Sequence, residues 1–462
     1  MLTLADCIGR ALSDGPAYAA SRELLEANRS RYRMFRSGLL PQMSLQGQAP
    51  GYLRSISSVT QPDGSTLFAP QSQANSSLSL SISQQVSWTG GTVSLSSGLT
   101  RIDLLETNTT FYRSTPFSFT WRQPLFQLNT VSWNIDLEEL RMDIAHRAWE
   151  ESKEEVSIDI TNKFFETYLS AMNVENARNN VRINDTLFQI STGRYNVGKI
   201  AENELLQSEL ALMNARTQLA NATIANERAR KALAFSIGLR PGTALLLVPP
   251  EEVPSLRIDP AAAVGHALAN RSEVTDQELQ KLTAERNLKD AKLKNTFSAM
   301  LVANAGFNQR AGSIPESYRQ LLDQQQLSIN LEVPLVQWGG GAAEIEAALA
   351  EQRRTELSNT IRKNALVDEV YSQVMLLRLL QEQVGISAKT DTIARRRFEV
   401  AKDRYLIGKI DVTNLFLAQS EMDQARRSRT QTLWDFWTAY YRLRRLTLHD
   451  FAIDAPLHRE PN

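Results

Sequence analysis

The stretch RYNVGKI, Arg194–Ile200, decides how this chain reads. It interrupts a long helix-type run, and it returns as RYLIGKI, Arg404–Ile410, at an offset of 210 residues. The same offset carries FSFTWRQPLFQ (Phe117–Gln127) onto LSINLEVPLVQ (Leu327–Gln337), with Pro124 on Pro334, Leu125 on Leu335 and Gln127 on Gln337. It also carries Ala215–Arg216 onto Ala425–Arg426. One offset that aligns three separate motifs marks an internal duplication of a large unit.

The duplication divides the 462 residues into a first repeat over 1–239, a linker over 240–260, a second repeat over 261–450 and a tail over 451–462. The first repeat has a strand region over about 42–124 and a helical hairpin over about 128–238. The second has strands over about 297–334 and a helical hairpin over about 339–449. Each repeat opens on a helical segment, Leu2 to about Leu39 and about Ile258 to Lys294. The prolines of Arg240–Pro260 preclude one continuous helix through the linker. Ala11–Leu12 matches Ala267–Leu268 at an offset of 256, so the first repeat holds 46 extra residues before Pro124. These form either one more hairpin or a long loop, and Ser55–Ala74 reads as loop.

From about Thr130 to Arg194 there is no proline, and no glycine before Gly193. A helix of about 65 residues is about 97 Å long, which points to a coiled coil rather than an ordinary globular helix. Val156, Ile160, Phe164, Tyr168 and Met172 keep to one face, as do Val367, Val370, Val374, Leu377 and Leu380 in the second copy. At Gly198 and Gly408 the long helix stops, because glycine accepts a backbone state that residues with a β-carbon avoid, and the chain reverses. The aromatic cluster LWDFWTAYYRL (Leu433–Leu443) has helical spacing and reads as core packing.

The region Gln42–Trp121 differs in chemistry. Its 80 residues hold six charged ones, where the chain's 22% would supply about 18. SLSLSISQQV (Ser77–Val86) alternates with period 2, and TVSLSSGL (Thr92–Leu99) and FSFTW (Phe117–Trp121) follow. SAMLVANAGF (Ser298–Phe307) and LSINLEV (Leu327–Val333) are weaker candidates in the second repeat. Alternation places leucines on one face and serines on the other. A half-buried soluble sheet fits this pattern, and so does a membrane barrel strand with apolar residues toward lipid and small polar ones toward water. The polar face is Ser, Thr, Asn and Gln rather than Lys and Glu, which favours the barrel. Trp88, Trp121, Phe111, Tyr112, Tyr318 and Phe307 are candidate interfacial aromatics. The count is four to six strands per chain. Single-chain barrels start at eight and open sheet edges are not tolerated in lipid, so a spanning sheet requires several chains to share one barrel.

Lys plus Arg and Asp plus Glu both number 51, and a formal net charge of zero gives no reason to expect a nucleic-acid partner. The lone Cys7 forms no intramolecular disulfide and reads as a small buried residue. His146, His266, His449 and His458 are isolated, with no metal-ligand spacing, and no nucleotide-binding loop or nucleophile–base pairing is present. The expectation is therefore no enzyme, no cofactor and no metal. WGGGAAE (Trp338–Glu344) is a glycine run at a helix start, read as close helix packing or a turn. No run of about 18 apolar residues is found, and Met1–Leu12 lacks the basic start and apolar stretch of a leader, which fits a cytosolic chain or a mature one whose leader has been removed.

Taken together, TLADCIGRAL at the start, QPLFQ and VPLVQ, the duplication, the two RY-x-x-GKI breaks and NLFLAQSEMDQAR (Asn414–Arg426) resemble the TolC-like outer-membrane efflux proteins over nearly the whole chain. The resemblance implies a mainly α protein with a transmembrane β part. In that family, strands and very long coiled-coil helices from three subunits form a shared twelve-stranded β-barrel, four strands from each, continued by an α-helical tunnel. It implies a Gram-negative outer-membrane location with the helices in the periplasm and the signal peptide removed. The implied function is a passive exit duct of a tripartite efflux or type I secretion system. Its partners would be two further copies of the chain, outer-membrane lipid, a periplasmic adaptor and an inner-membrane transporter. Arg194, Tyr195, Gly198, Lys199, Arg404, Tyr405, Gly408 and Lys409 would then be adaptor-contacting tip turns, and Pro124 and Pro334 the strand-to-helix junctions. The paired aspartates that narrow the tunnel in the best-known relative fall here on Asn414 and Leu417, so Glu204, Asp411 and Asn414 are the candidates for a constriction. The competing reading is a non-conducting coiled-coil scaffold, which accounts for the helices but not for the charge-poor alternating strands.

Overall fold

The computed structural model describes residues 1–60, 64–240, 242–243, 245–407, 409–410 and 412–457. The chain forms two compact units. One comprises Met1–Ala27, Asp143–Thr275 and Thr360–Asn462, and the other Asn28–Met142 and Asp276–Asn359.

Helices α1 (Leu4–Asp14) and α2 (Pro16–Gly38) replace the single helical segment expected at the start. Thr3 and Asp6 form a capping box that begins α1. Gly15 is extended at ψ 137°, as a residue before proline prefers, and ends it. The segment after the linker is broken in the same way, into α5 (Pro260–Asn270) and α6 (Ser272–Lys294), with extended Arg271 between them. Arg271 matches Gly15 at the 256-residue offset, yet no proline or glycine marks it. Here Glu151 makes the break: its carboxylate accepts the Ser272 N–H at 2.8 Å and pairs with the Arg271 guanidinium at 2.8 Å.

The long helices are α3 (Thr130–Asn196) and α7 (Gly340–Leu406), each of 67 residues and displaced by the 210-residue offset at both ends. α4 (Glu202–Ser236) and α8 (Val412–Thr447) follow them. Asn129 caps α3, its side chain accepting the Ser132 N–H at 3.2 Å while donating to Ser87 O at 2.7 Å. At the start of α7 a β-carbon on Gly341 would stand 2.6 Å from the Asn295 side chain, so the glycine run permits a close approach.

The helical unit has a continuous apolar core. Ile160, Phe164, Phe165, Val370, Leu377, Phe436 and Leu443 are buried in it, with Cys7 and Ala11 of α1. In the aromatic cluster Leu433, Phe436, Ala439, Tyr440 and Leu443 are buried, with Trp434, Trp437 and Tyr441 packed at their margin. A buried ionic group closes this core: Arg444 pairs with Glu154 at 3.0 Å and Asp450 at 2.9 Å, and Tyr440 donates to Asp450 at 2.6 Å.

The strand unit holds one antiparallel six-stranded sheet, β1 (Gln42–Thr60), β2 (Thr66–Val86), β3 (Gly91–Leu104), β4 (Thr109–Leu125), β5 (Ser298–Ala311) and β6 (Leu322–Glu332), in chain order across the sheet. The resemblance implies four strands per subunit, and the sheet has six. The extra residues of the first repeat are accounted for by a hairpin, since β1 through β2 spans Gln42–Val86. The loop expected over Ser55–Ala74 is strand over Ser55–Thr60 and Thr66–Ala74, while 61–63 lie outside the described residues: Ser55 pairs with Gln71 and Ile56 with Pro70, out to Thr60 with Thr66. Pro70 misleads because proline is excluded only from strands flanked on both sides. It lies beyond Gln73, where pairing with β3 has ended, and has one neighbour only.

Candidate functional site

The cross-strand register sorts the sheet into two chemically different faces. Leu45 pairs with Leu80, Ile82 with Leu95, Leu95 with Phe119, Phe119 with Ala305, and Ala303 with Leu327. One residue along each strand, Ser44 pairs with Ser81, Ser81 with Ser96, Ser96 with Ser118, and Asn304 with Gln326. Because side chains alternate, the first set lies on one face and the second on the other. The polar face is tied by side-chain hydrogen bonds across the strands: Ser44 and Ser81 hydroxyls at 2.9 Å, Asn304 to Thr120 at 3.0 Å, and Asn308 to Gln324 at 2.7 Å.

Among the described residues the apolar face stands uncovered. Met43 is 67% exposed, Leu80 41%, Trp121 37% and Leu327 72%. A large apolar side chain left in water forfeits about 1.5–3 kcal/mol relative to burial. A handful of such residues equals the whole net stability of a typical domain, about 5–15 kcal/mol. A face of this kind needs an apolar surrounding. The strands are long enough to cross one: β3 has 14 residues and β6 has 11, against the roughly 9–11 that a spanning strand requires.

Charge and aromatic residues bound this face. On β3 the apolar run ends at Leu99, and Arg101 and Asp103 pair at 3.0 Å just beyond it, with Thr110 donating to Asp103. At the opposite end Trp88, in the turn between β2 and β3, is 83% exposed, and Phe126 packs on Phe297 with ring centroids 5.1 Å apart. Of the aromatics expected at interfaces, Trp121 and Phe307 lie on the apolar face itself. Phe111 lies beneath the Arg310 guanidinium at 3.7 Å, Tyr112 pairs with Ala311, and Tyr318 is exposed after the single helical turn Ile314–Ser317. Sequence reading missed β1, whose alternation over Gln42–Gln46 is cut short by Gly47.

The helix reversals form the second candidate site, in the other unit. Gly198 has φ +73°, in the left-handed region. Its N–H donates to Tyr195 O at 2.8 Å, and the Lys199 N–H reaches back to Arg194 O at 2.9 Å. These are the two bonds of a Schellman cap. The Lys409 N–H makes the same outer bond to Arg404 O, also at 2.9 Å. Arg194, Tyr195, Lys199, Arg404 and Lys409 are exposed. Gly408, Asp411 and the Tyr405 side chain lie outside the described residues. Glu204 stands exposed in the first turn of α4, and Asn414 exposed at the start of α8. Pro124 pairs with Met300 next to the end of β4, and Pro334 follows the end of β6 by two residues.

Among the described residues no group of three or more His, Cys, Asp or Glu is placed to hold a metal ion, and no helix is long and apolar enough to cross a membrane.

Comparison with known proteins gives three findings. Residues 7–239 match the model of a family described as outer membrane efflux protein. No curated protein sequence matches the chain. Solved structures share the fold at low identity. The Campylobacter jejuni CmeC outer membrane channel is 13% identical, with TM-score 0.67 over 99% of this chain and 87% of that one. The outer membrane protein VceC of Vibrio cholerae is 14% identical, with TM-score 0.62 over 98% and 97%. The Neisseria gonorrhoeae MtrE outer membrane channel, in its open state, is 15% identical, with TM-score 0.60 over 94% and 88%.

Proposed function

The chain belongs to the outer membrane efflux protein family, and we propose that it is a passive outer-membrane exit duct of a tripartite efflux or type I secretion system. One observation carries the reading: the sheet has an uncovered apolar face and a hydrogen-bonded polar face without Lys or Glu at its centre. Lipid suits the first and a water-filled lumen the second. The open sheet has two edges, which lipid does not tolerate, so copies of the chain share one barrel, three by analogy with the family. The helices line the rest of the passage, and the chain is read as two structural repeats. The reversals at Arg194–Lys199 and Arg404–Lys409 receive a periplasmic adaptor that links the duct to an inner-membrane transporter, which supplies the energy. Glu204 and Asn414, just past the reversals, line the narrowest passage, to which Glu204 lends negative charge. A non-conducting scaffold would leave the apolar face in water.

The test is native mass of the detergent-extracted protein, paired with conductance in a planar bilayer. A trimer with steady conductance is expected. A chain that stays in water without detergent, as monomer or dimer, and carries no current would refute the duct.

A further inference from the structure

The two outer strands of the sheet, β1 and β6, each have one partner and one bare side. Natural edge strands that must stay single are blunted by lysine, proline, bulges or inward charge. On β1 such features, Pro50, Arg54 and the bulge between Gln48 and Gly51, come only after Gln48, and Gln42–Gln48 carries no charge and no proline; in β6 the only charged residues, Asp323 and Glu332, stand near its ends. Both edges continue the two-faced pattern. Met43 and Leu45 on β1 and Leu327, Ile329 and Leu331 on β6 are exposed on the apolar side.

The strand count supplies the direction. Neighbours alternate in sense across an antiparallel sheet, so with six strands β1 and β6 run opposite ways. A β6 placed against the bare side of β1 is therefore antiparallel to it, and its apolar and polar faces continue those of the sheet.

We propose that β1 pairs with β6 of a second copy of this chain, so that the hairpin Gln42–Val86 is part of the barrel wall and three copies close an eighteen-stranded barrel rather than a twelve-stranded one. The proposal rests on the trimeric duct reading. At a strand spacing near 4.8 Å and a tilt near 40°, eighteen strands give a backbone radius of about 18 Å, against about 12 Å for twelve. The polar wall is correspondingly wider, and the hairpin that the second repeat lacks is what widens it.

Disulfide trapping in isolated outer membranes tests this with the full chain. Cys7 is replaced by Ser to clear the background; it is buried in the helical unit, and burial pushes its thiol up to about 11. Ser44→Cys on β1 is combined in turn with Cys at Gln324, Gln326, Ser328 or Asn330 of β6, which scans the stagger. The comparison set combines Ser96→Cys on β3 with the same four positions. In the eighteen-stranded closure Ser96 lies three strand spacings from the neighbouring β6, about 14 Å, beyond the reach of a disulfide.

The expected result is that one Ser44 pairing shifts most of the protein to a covalent trimer on a non-reducing gel while no Ser96 pairing does. A ladder from a Ser96 pairing and none from Ser44 would place the hairpin outside a twelve-stranded wall, overturning this inference and leaving the duct intact. A native trimer with no ladder from either set would also overturn it. Loss of the trimer in the unsubstituted protein would instead bring down the duct reading itself.

Discussion

In the helical unit Phe164, Phe165 and Phe436 have no exposed surface, while in the strand unit Phe68 is 71% exposed and Phe117 and Phe119 are 44% and 36% exposed. The same side chain is hidden by the chain's own atoms in one unit and presented outward in the other. The polar residues are arranged just as differently. The helical unit buries charge and pairs it, as in the Arg444, Glu154 and Asp450 group. The sheet centre has no charge and uses hydroxyl and amide groups. One chain therefore answers to two solvents. The helical unit is stable when its core is dry, and the sheet is stable when something other than the chain covers it.

The largest effect should come from breaking the helical side of this contrast. Phe436→Ala empties a fully buried site, and large-to-small core changes of this type cost about 3–5 kcal/mol. Chemical denaturation followed by helical circular dichroism should show a matching fall in midpoint. Little change there would mean that Phe436 does not hold the core.

The sheet side is sharpened by a pair of adjacent residues. Leu80→Arg puts a charge on the apolar face, with an expected cost of about 2–4 kcal/mol near the bilayer midplane. Ser81→Arg, one residue on and facing the other way, should leave membrane insertion nearly unchanged. Trimer yield from the outer-membrane fraction reads both. Equal losses would show that the two faces do not meet different solvents.

The reversals should matter for coupling rather than for the duct. Reversing charge with Lys199→Glu and Lys409→Glu is expected to weaken adaptor engagement about tenfold, or 1.4 kcal/mol. Export by whole cells should fall while bilayer conductance stays the same. A parallel loss of conductance would assign these lysines to the passage instead. Gly198→Ala should cost about 1 kcal/mol, because φ is +73° and the space around it is open, so only backbone strain opposes the methyl. Gly238→Ala should cost more, since φ there is +70° and the added carbon would stand 2.6 Å from Asp14 O.

How legible these features are in the sequence depends on how local their causes are. The 67-residue helices follow from long runs without proline, in which glycine is confined to Gly193 in the first and, after the Gly340–Gly341 start, to Gly385 in the second, and the reversal at Gly198 follows from one residue that tolerates positive φ. The strand Ser77–Val86 declares itself by strict alternation. The break at Arg271 is invisible because its cause, Glu151, lies 121 residues away from the Ser272 amide it holds. The strand β1 is obscured by Gly47, Pro50 and Gly51, which its bulge between Gln48 and Gly51 accommodates. The pairing of β4 with β5 joins Leu125 to Ala299, a contact that no local pattern encodes. Alternation and the uncharged polar face established two faces and favoured a barrel, and the three-dimensional exposure of the leucines added that the apolar one is left uncovered.

The smallest effect concerns pH and the helical unit alone. His449 is buried, with its ring stacked on His266 at a centroid distance of 4.1 Å and its Nε2 3.5 Å from Asp454. Burial, then the charge of His266, hold its imidazole below the ordinary 6.5, against the opposing pull of Asp454 and Asp450. The folded chain thus takes up this proton less readily than the unfolded one. The stabilisation is fully present above pH 6.5 and is lost as pH falls below it toward the lowered folded value. The denaturation midpoint of the helical signal should therefore drop more between pH 7.5 and pH 5.5 in the unsubstituted protein than in His449→Gln. His266→Gln should fall between the two, because it removes the second cause and leaves the burial. If all three variants lose the same amount over this interval, the acid sensitivity belongs to carboxylates elsewhere and the stacked histidine pair plays no part in it.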